Sequence, residues 1–353
     1  MTAPVALAGP LVVVGDALLD VDLVGRAERL CPDAPVPVLD GLVSHPRPGG
    51  AGLAAALAAA DGHEVVLVTA LGDDDAGAQV EALLDGVRVL RLPYDGQTPV
   101  KQRVRSAGQS LLRLDSGGAA GVAGAASPAV LRALEEAGAV LVADYGRGAV
   151  EAPGIRAALT ALARTVPVTW DPHPRGGAPV PGVRLATPNR AEAAGFAARH
   201  GDVVGDAGGN AGGDAGSSLA TVRRHADLLV GAWQAWAVAV TLGGRGALLS
   251  YGSGTPVLTP APSAPCADPC GAGDRFAATA ALSLAAGRVT TEAVQDAVAA
   301  AAAYVAAGGP ASLTSGPGPD AGRLEPGRVE EVRRRGGVVV ATGGCFDLLH
   351  AGH

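Results

Sequence analysis

Six short runs of mostly β-branched and apolar residues are interleaved with Ala/Leu-rich stretches of helical length, and this alternation constrains the fold more than any other feature. The runs are Leu11 to Gly15, Glu64 to Ala70, Ala139 to Asp144, Val166 to Asp171, Arg184 to Thr187 and Trp236 to Leu242. The rhythm implies a parallel sheet with crossover helices, and so an α/β fold. Several runs are almost wholly apolar, as strands covered on both faces are. Several end in Asp, Asn or Gly, which puts polar groups at the carboxyl ends, where open α/β sheets bind ligands.

Two segments break the rhythm. Residues 21–43 and 87–115 alternate apolar and polar positions, as in Val36-Pro37-Val38-Leu39 and Ser110 to Asp115, with no helix between, and they read as a small β lid. Residues 201–218 are nearly all Gly, Asp, Ala and Asn and read as a flexible surface loop. The Pro/Gly-rich stretch after Gly308 marks a domain boundary near residue 315, followed by a linker with a short charged helix to residue 335. A new strand, Gly337 to Ala341, then opens a second domain that covers only residues 336–353.

Charge and composition narrow the function. The formal charge is −7 and the Lys and Arg residues are scattered, which argues against nucleic acid or a membrane surface as partner and for small-molecule chemistry. The longest apolar stretches, such as Ala297 to Ala307, fall well short of a bilayer span. The four cysteines form no C-x-x-C pair and no signal peptide is evident, so a cytoplasmic protein is expected. With 52 glycines, Gly motifs arise by chance, and each needs support from other residues.

The segment Gly271-Ala272-Gly273-Asp274 leads into a helix over 275–286. Free N–H groups at such a helix start form an anion site, and Asp274 beside it can accept a proton. Phosphoryl transfer needs both at one spot. Taken alone, a capped helix with an acid in its first turn is an equally good reading.

Other segments share the burden. In Thr187-Pro188-Asn189-Arg190-Ala191-Glu192, Asn189 and Glu192 lie one turn apart, where they would hold the water shell of Mg²⁺ beside ATP, or else form a capping box. Thr241, Gly243 and Gly246 fall in a strand end and glycine turn that admits a nucleotide, or that makes a plain hairpin. Asp16 and Asp20 follow the first strand and suit polyol hydroxyls, while Gly49 and Gly50 precede a helix. Lys101, Arg103, Arg105 and Arg113 alternate along the lid and suit a sugar's phosphate, or simply protect a sheet edge; Asp144 and Arg147 add a strand-end acid and a further base.

In this order, over residues 11 to 310, these segments resemble the ribokinase-like, phosphofructokinase B type sugar kinases. Within that family the chain is most similar to heptose 7-phosphate kinases fused to an adenylyltransferase, through Gly15 to Asp20, Pro32 to Val38, Arg47 to Ala51, Leu111 to Asp115 and Asp144 to Gly148. The terminal Gly344 to His353 resembles the opening of a nucleotidyltransferase, with His350 and His353 as its H-x-G-H pair on ATP phosphates. The resemblance implies a three-layer α/β/α fold with a β lid and a Rossmann-like second domain. It also implies ATP and Mg²⁺ as cofactors, and a homodimer formed through the lid.

The implied reaction is phosphorylation of D-glycero-β-D-manno-heptose 7-phosphate at its anomeric hydroxyl, with no adenylyl transfer expected of the short second segment. Asp274 would be the base, and Gly271, Ala272 and Gly273 the anion hole. Asn189, Arg190, Ala191, Glu192, Thr241, Gly243 and Gly246 would serve ATP. Asp16, Asp20, Gly49, Gly50, Lys101, Arg103, Arg113 and Asp144 would serve the sugar phosphate. Asp268 lies where related kinases often bind a monovalent cation. The chain departs from the family at Leu53 and Val298, where Asn is usual, at Cys270, where Thr is usual, and at His173, where Lys is usual. Another kinase of the family, or a degenerate sugar-binding protein, are the alternatives.

Overall fold

The structure is a computed structural model that describes residues 8–117, 121, 123–202, 218–263 and 268–313. The sequence-predicted linker, the second domain with His350 and His353, and nearly all of the 201–218 loop lie outside these residues. The described chain divides into a larger unit, running to Asp20 and then through Arg47–Val100 and from Ser116 onward, and a smaller one, Val21–Pro46 with Lys101–Asp115.

In chain order the elements are β1 (Leu11–Gly15), β2 (Ala17–Cys31), β3 (Ala34–Gly50), α1 (Ala51–Ala60), β4 (Val65–Ala70), α2 (Asp75–Ala82), β5 (Val87–Leu92), β6 (Val100–Ser106) and β7 (Gln109–Ser116). There follow α3 (Pro128–Glu135), β8 (Ala139–Ala143), α4 (Ile155–Leu162), β9 (Val168–Asp171), β10 (Leu185–Ala186), α5 (Arg190–Arg199), α6 (Leu219–Trp233), β11 (Val238–Thr241), β12 (Ala247–Ser250), β13 (Val257–Thr259), α7 (Ala272–Ala285) and α8 (Thr290–Ala306).

The larger unit is built on a nine-stranded sheet in the order β13-β12-β11-β10-β9-β8-β1-β4-β5. All pairs from β11 to β5 are parallel, and β12 and β13 add an antiparallel edge. From β1 the chain first builds outward to β4 and β5, then returns to lay β8 on the other side of β1. The carboxyl ends of β1 and β8 therefore flank the topological switch point, where ligands of such sheets bind. Gly15 is obligatory there, since a Cβ would stand 1.9 Å from the Ala143 carbonyl oxygen.

Helices cover both faces. On one side Val12, Val14, Val140 and Trp170 pack against α3 to α6; on the other, Leu185, Ala237 and Leu249 pack against Phe276 of α7 and Val294 and Val298 of α8. Trp170 and the β1 residues are fully buried, and each such large side chain contributes about 1.5–3 kcal/mol over its exposed state. Arg275 at the start of α7 pairs with Asp61 at the end of α1 at 2.6 Å.

The smaller unit is a four-stranded sheet, β3-β2-β6-β7. One expectation is corrected here. Residues 87–92 belong to the main sheet and not to the lid, because Val87 to Leu92 pair in parallel register with Val65 to Ala70 of β4. Alternation of apolar residues with Arg88 and Arg91 marks a sheet edge as readily as a lid strand.

Candidate active site

The start of α7 supplies the first part of the site. The helix begins at Ala272, three residues earlier than its apolar pattern indicates, so Asp274 stands in its first turn and Gly271 is its N-cap at φ 78°. That conformation favours glycine. A Cβ on Gly271 would also meet Leu53 Cδ2 at 2.5 Å and the Tyr304 hydroxyl at 2.7 Å. The space beside Gly273 is open.

Of the three anion-hole candidates, Ala272 has its N–H engaged, donating to the Pro269 carbonyl at 3.1 Å. Among the described residues no acceptor takes the Gly273 N–H, which is the better placed donor for an anion at this helix start. Cys270 donates its N–H to Asp268 Oδ1 at 3.0 Å, closing the turn that precedes the helix.

Asp274 is 7% exposed, and its Oδ1 accepts a 2.6 Å hydrogen bond from the Tyr145 hydroxyl. Tyr145 follows the strand-end Asp144 in the loop after β8. Burial, then the charges of Asp274 and Asp171, hold its phenol well above its ordinary range. Asp16 organises that loop: its Oδ2 accepts from the N–H groups of Tyr145 at 3.1 Å and Arg147 at 2.9 Å, and its Oδ1 from Ala149 at 3.0 Å. Both oxygens of Asp16 thus accept from backbone N–H groups, and Oδ1, with a single donor, keeps acceptor capacity for a sugar hydroxyl.

Asp20 lies four residues further along β2 and is buried beside Gly49. A Cβ at Gly49 would stand 2.6 Å from Asp20 Oδ2, and one at Gly50 would reach 3.4 Å from the Tyr145 ring. Gly49 therefore lets Asp20 close in over the chain entering α1, while Gly50, at φ 59°, makes room for the Asp16 carbonyl oxygen, which a Cβ would meet at 2.5 Å. Leu53 is 1% exposed and packs with Leu57 and Tyr304, so it forms a buried wall behind Gly271. The Tyr304 hydroxyl is buried there without a hydrogen-bond partner among the described residues, and desolvation first, then Cys270 and Asp274, raise its pKa.

Asp144 is deeply buried. Its Oδ1 accepts from Gly146 N–H at 2.7 Å, its Oδ2 has no partner among the described residues, and burial together with the charges of Asp16 and Glu151 pushes its carboxyl up to about 7. Asp171, at the end of β9, accepts from the Thr187 hydroxyl at 2.9 Å. Burial, then the charges of Asp274 and Glu192, raise it well above the carboxylate range. Sequence reasoning passed over Asp171 and Tyr145, although a strand-end Asp and a residue adjoining one were the available signals.

Asn189 and Glu192 form the capping box outright. Asn189 Oδ1 accepts from Glu192 N–H at 3.0 Å and Glu192 Oε2 from Asn189 N–H at 2.8 Å. Burial raises the Glu192 pKa, against the backbone and side-chain hydrogen bonds of Asn189, which lower it. An isolated parallel bridge joins Asn189 to Thr241, so these two ATP candidates are neighbours. Arg190 and Ala191 follow on α5, and Gly243 opens the turn at φ 60°. Gly246 has a different reason to be glycine: its Cβ would lie 1.9 Å from the Thr259 carbonyl oxygen of β13.

In the smaller unit, Arg113 is bound through Nε and Nη2 to Asp115, both at 2.7 Å, and Arg105 pairs with Asp22 at 3.6 Å. Lys101 and Arg103 share the β6 face of Arg105 by their alternate spacing. The Arg113–Asp115 pair is exposed, a weak surface pairing that leaves the expected role of Arg113 on a sugar phosphate open to test.

Residues 10–315 match the sequence profile of the pfkB family carbohydrate kinases. The bifunctional protein HldE of Streptomyces coelicolor is 49% identical over 368 residues, spanning all of this chain and 74% of that protein. The bifunctional protein HldE of Azorhizobium caulinodans is 34% identical over 371 residues, spanning 98% of this chain and 74% of that one. Among solved structures, the Arabidopsis thaliana ribokinase complexed with ribose and ATP superposes with a TM-score of 0.62 at 21% identity, covering 85% of this chain and 93% of that one. The Thermotoga maritima ribokinase gives 0.62 at 22%, covering 86% and 95%. The fold is ribokinase-like.

Proposed function

The chain belongs to the pfkB family of carbohydrate kinases, and from that premise we propose that its acceptor is D-glycero-β-D-manno-heptose 7-phosphate, phosphorylated by ATP at the anomeric hydroxyl. The observation that carries the choice of sugar is the similarity to HldE across the whole of this chain, at 49% identity. The local segments Gly15 to Asp20, Arg47 to Ala51 and Asp144 to Gly148, through which the chain resembles the heptose kinases, support it.

In this reading Asp274 accepts the proton of the sugar hydroxyl as that oxygen bonds to the γ-phosphorus. The bond from phosphorus to the bridging oxygen breaks, and ADP leaves with the electron pair. The start of α7, chiefly the Gly273 N–H, faces the negative charge on the transferring group. Asp20 binds a sugar hydroxyl across Gly49. Asn189, Thr241 and the Gly243 turn border the nucleotide.

Among the described residues no cluster of three acidic, His or Cys side chains stands ready for a metal, so Mg²⁺ would be held by a few side chains and its own waters. Asp171 is raised in part by the charges of Asp274 and Glu192, so these acids share a region short of positive charge that a divalent cation relieves. Glu192, Asn189 and Asp171 are the groups that would hold it, through water or directly, and when bound it would neutralise phosphate charge.

The test is ADP release with a panel of sugar phosphates, pentoses and nucleosides, on the wild type and Asp274→Asn. Turnover is expected on the heptose phosphate, and a loss of about 10³-fold or more in Asp274→Asn. Turnover on ribose or a fructose phosphate in place of the heptose phosphate refutes the substrate. Unchanged turnover in Asp274→Asn refutes the base.

A further inference from the structure

We propose that Tyr145 is a positioning residue for phosphoryl transfer, its phenol fixing the orientation in which the Asp274 carboxylate meets the acceptor hydroxyl. This rests on Asp274 being the base. The geometry comes first. The phenol donates to Asp274 Oδ1 at 2.6 Å, a short charge-assisted bond that selects one carboxylate rotamer in a side chain with two free torsions.

The phenol itself has little freedom. Its backbone N–H is held by Asp16, its carbonyl accepts from Arg175 Nη2 at 3.4 Å, and its ring lies 6.0 Å from the His173 ring at an interplanar angle of 26°. Gly50, at φ 59°, lies against the ring edge, and its own constraint is the Asp16 carbonyl oxygen, which a Cβ would meet at 2.5 Å. Asp16 therefore acts on the base at one remove. Two oxygens committed to three backbone N–H groups fix the loop, the loop fixes the ring, and the ring fixes the carboxylate.

The chemistry fits a donor that never exchanges its role. The acids whose charges bear on the phenol are Asp274, Asp171 and Asp20. Surrounded by them and desolvated, the phenol keeps its proton throughout the working pH range, so it donates to Asp274 without competing for the proton the base must take. A donor also favours the charged carboxylate where neighbouring acids disfavour it. Substrate hydrogen bonds alone would leave the base to find its orientation anew in each turnover.

The experiment uses the full chain, with ADP release measured on the sugar phosphate that the wild type turns over. Tyr145→Phe keeps the ring and removes one oxygen. Its kcat is expected to fall roughly 10- to 100-fold, as misplaced catalytic groups do. KM values for ATP and sugar should stay within about threefold, since neither ligand's binding groups are touched. The acid limb of the kcat profile should move to higher pH as the carboxylate loses its donor. Tyr145→His, which returns a ring N–H donor, should recover part of the loss; recovery no greater than in Tyr145→Phe leaves only a packing role and overturns the proposal. A Tyr145→Phe kcat within twofold of wild type with an unmoved acid limb overturns it, as does a rise in kcat, which makes the phenol an obstacle. Asp274→Asn separates the two readings. If it is inactive while Tyr145→Phe is normal, the positioning role alone fails; if it turns over normally, the base reading fails and takes the proposal with it.

Discussion

Asp144 shows how one buried acid can tie stability to pH. Its folded pKa of about 7, against 3.8 for an ordinary aspartate, means the native state holds a proton that the unfolded chain releases between those values. In that window the native state binds more protons, so stability falls as pH rises. It is fully present below about pH 4 and lost by the time pH has passed 7. The difference of about 3 pH units corresponds to an effect on the order of 2–4 kcal/mol. Asp144→Asn cannot titrate and should lack this slope. Urea unfolding of both proteins at pH 5, 6.5 and 8 should show the variant gaining on the wild type as pH rises; a constant difference across the series would mean that Asp144 is not the group responsible. Leu53 belongs at the same scale. It is enclosed by Leu57, Tyr304 and the backbone of Gly271, so its contribution is a wall for the helix start and not a ligand for the sugar.

At the scale of elements, much of the candidate site was legible because strand ends and helix starts have local signatures. The β1 end, the entry to α1 and the start of α7 were each marked by Gly beside Asp or Arg, and the fold brings the first and last of these together around Asp274. What was not legible is which of several neighbouring groups does which task. Asp16 and Asp20 are four residues apart and chemically identical, and only the loop after β8, over 120 residues away in sequence, shows that Asp16 holds three of its backbone N–H groups. Tyr145 reads in sequence as a loop aromatic, because nothing local reveals a partner 129 residues distant. The Asn189–Glu192 box poses the converse problem, since capping and metal binding ask for the same residues. Glu192→Gln separates them. The amide oxygen can still accept from Asn189 N–H, so stability should change by no more than about 1 kcal/mol. The lost charge should raise the apparent KM for ATP at limiting Mg²⁺ several-fold, an effect that excess Mg²⁺ partly reverses. Equal ATP KM values in both proteins at low Mg²⁺ would leave Glu192 as a cap alone.

For the whole molecule, alternation of apolar runs and helices was enough to imply the parallel sheet, and the register of β1 with β4 and β8 reproduces the predicted β1 run from its first residue to its last. The misplaced stretch was β5, because an edge strand with Arg on one face looks the same whether it borders a large sheet or a small one. The smaller sheet carries the remaining question, which is what covers it. Leu30, Val36, Leu42, Val43, Leu112 and Leu114 are all 44–64% exposed, and all lie on β2, β3 and β7 of this one sheet. Single exposed leucines are ordinary, but a concentration of them on one thin sheet is the pattern that an association surface presents. Family resemblance implies a homodimer through this region, and a twofold pairing of identical sheets would bury each copy's leucines against the other's. Leu112 and Leu114 are two residues apart on β7 and so share a face. Replacing both with Asp should bring charge into that contact without touching the main sheet. Sedimentation velocity is expected to show the wild type at twice the monomer mass and the double variant shifted to the monomer, with a melting temperature for the larger unit little changed. A wild type that sediments as a monomer at micromolar concentration would rule out the dimer and leave the exposed leucines to a different partner.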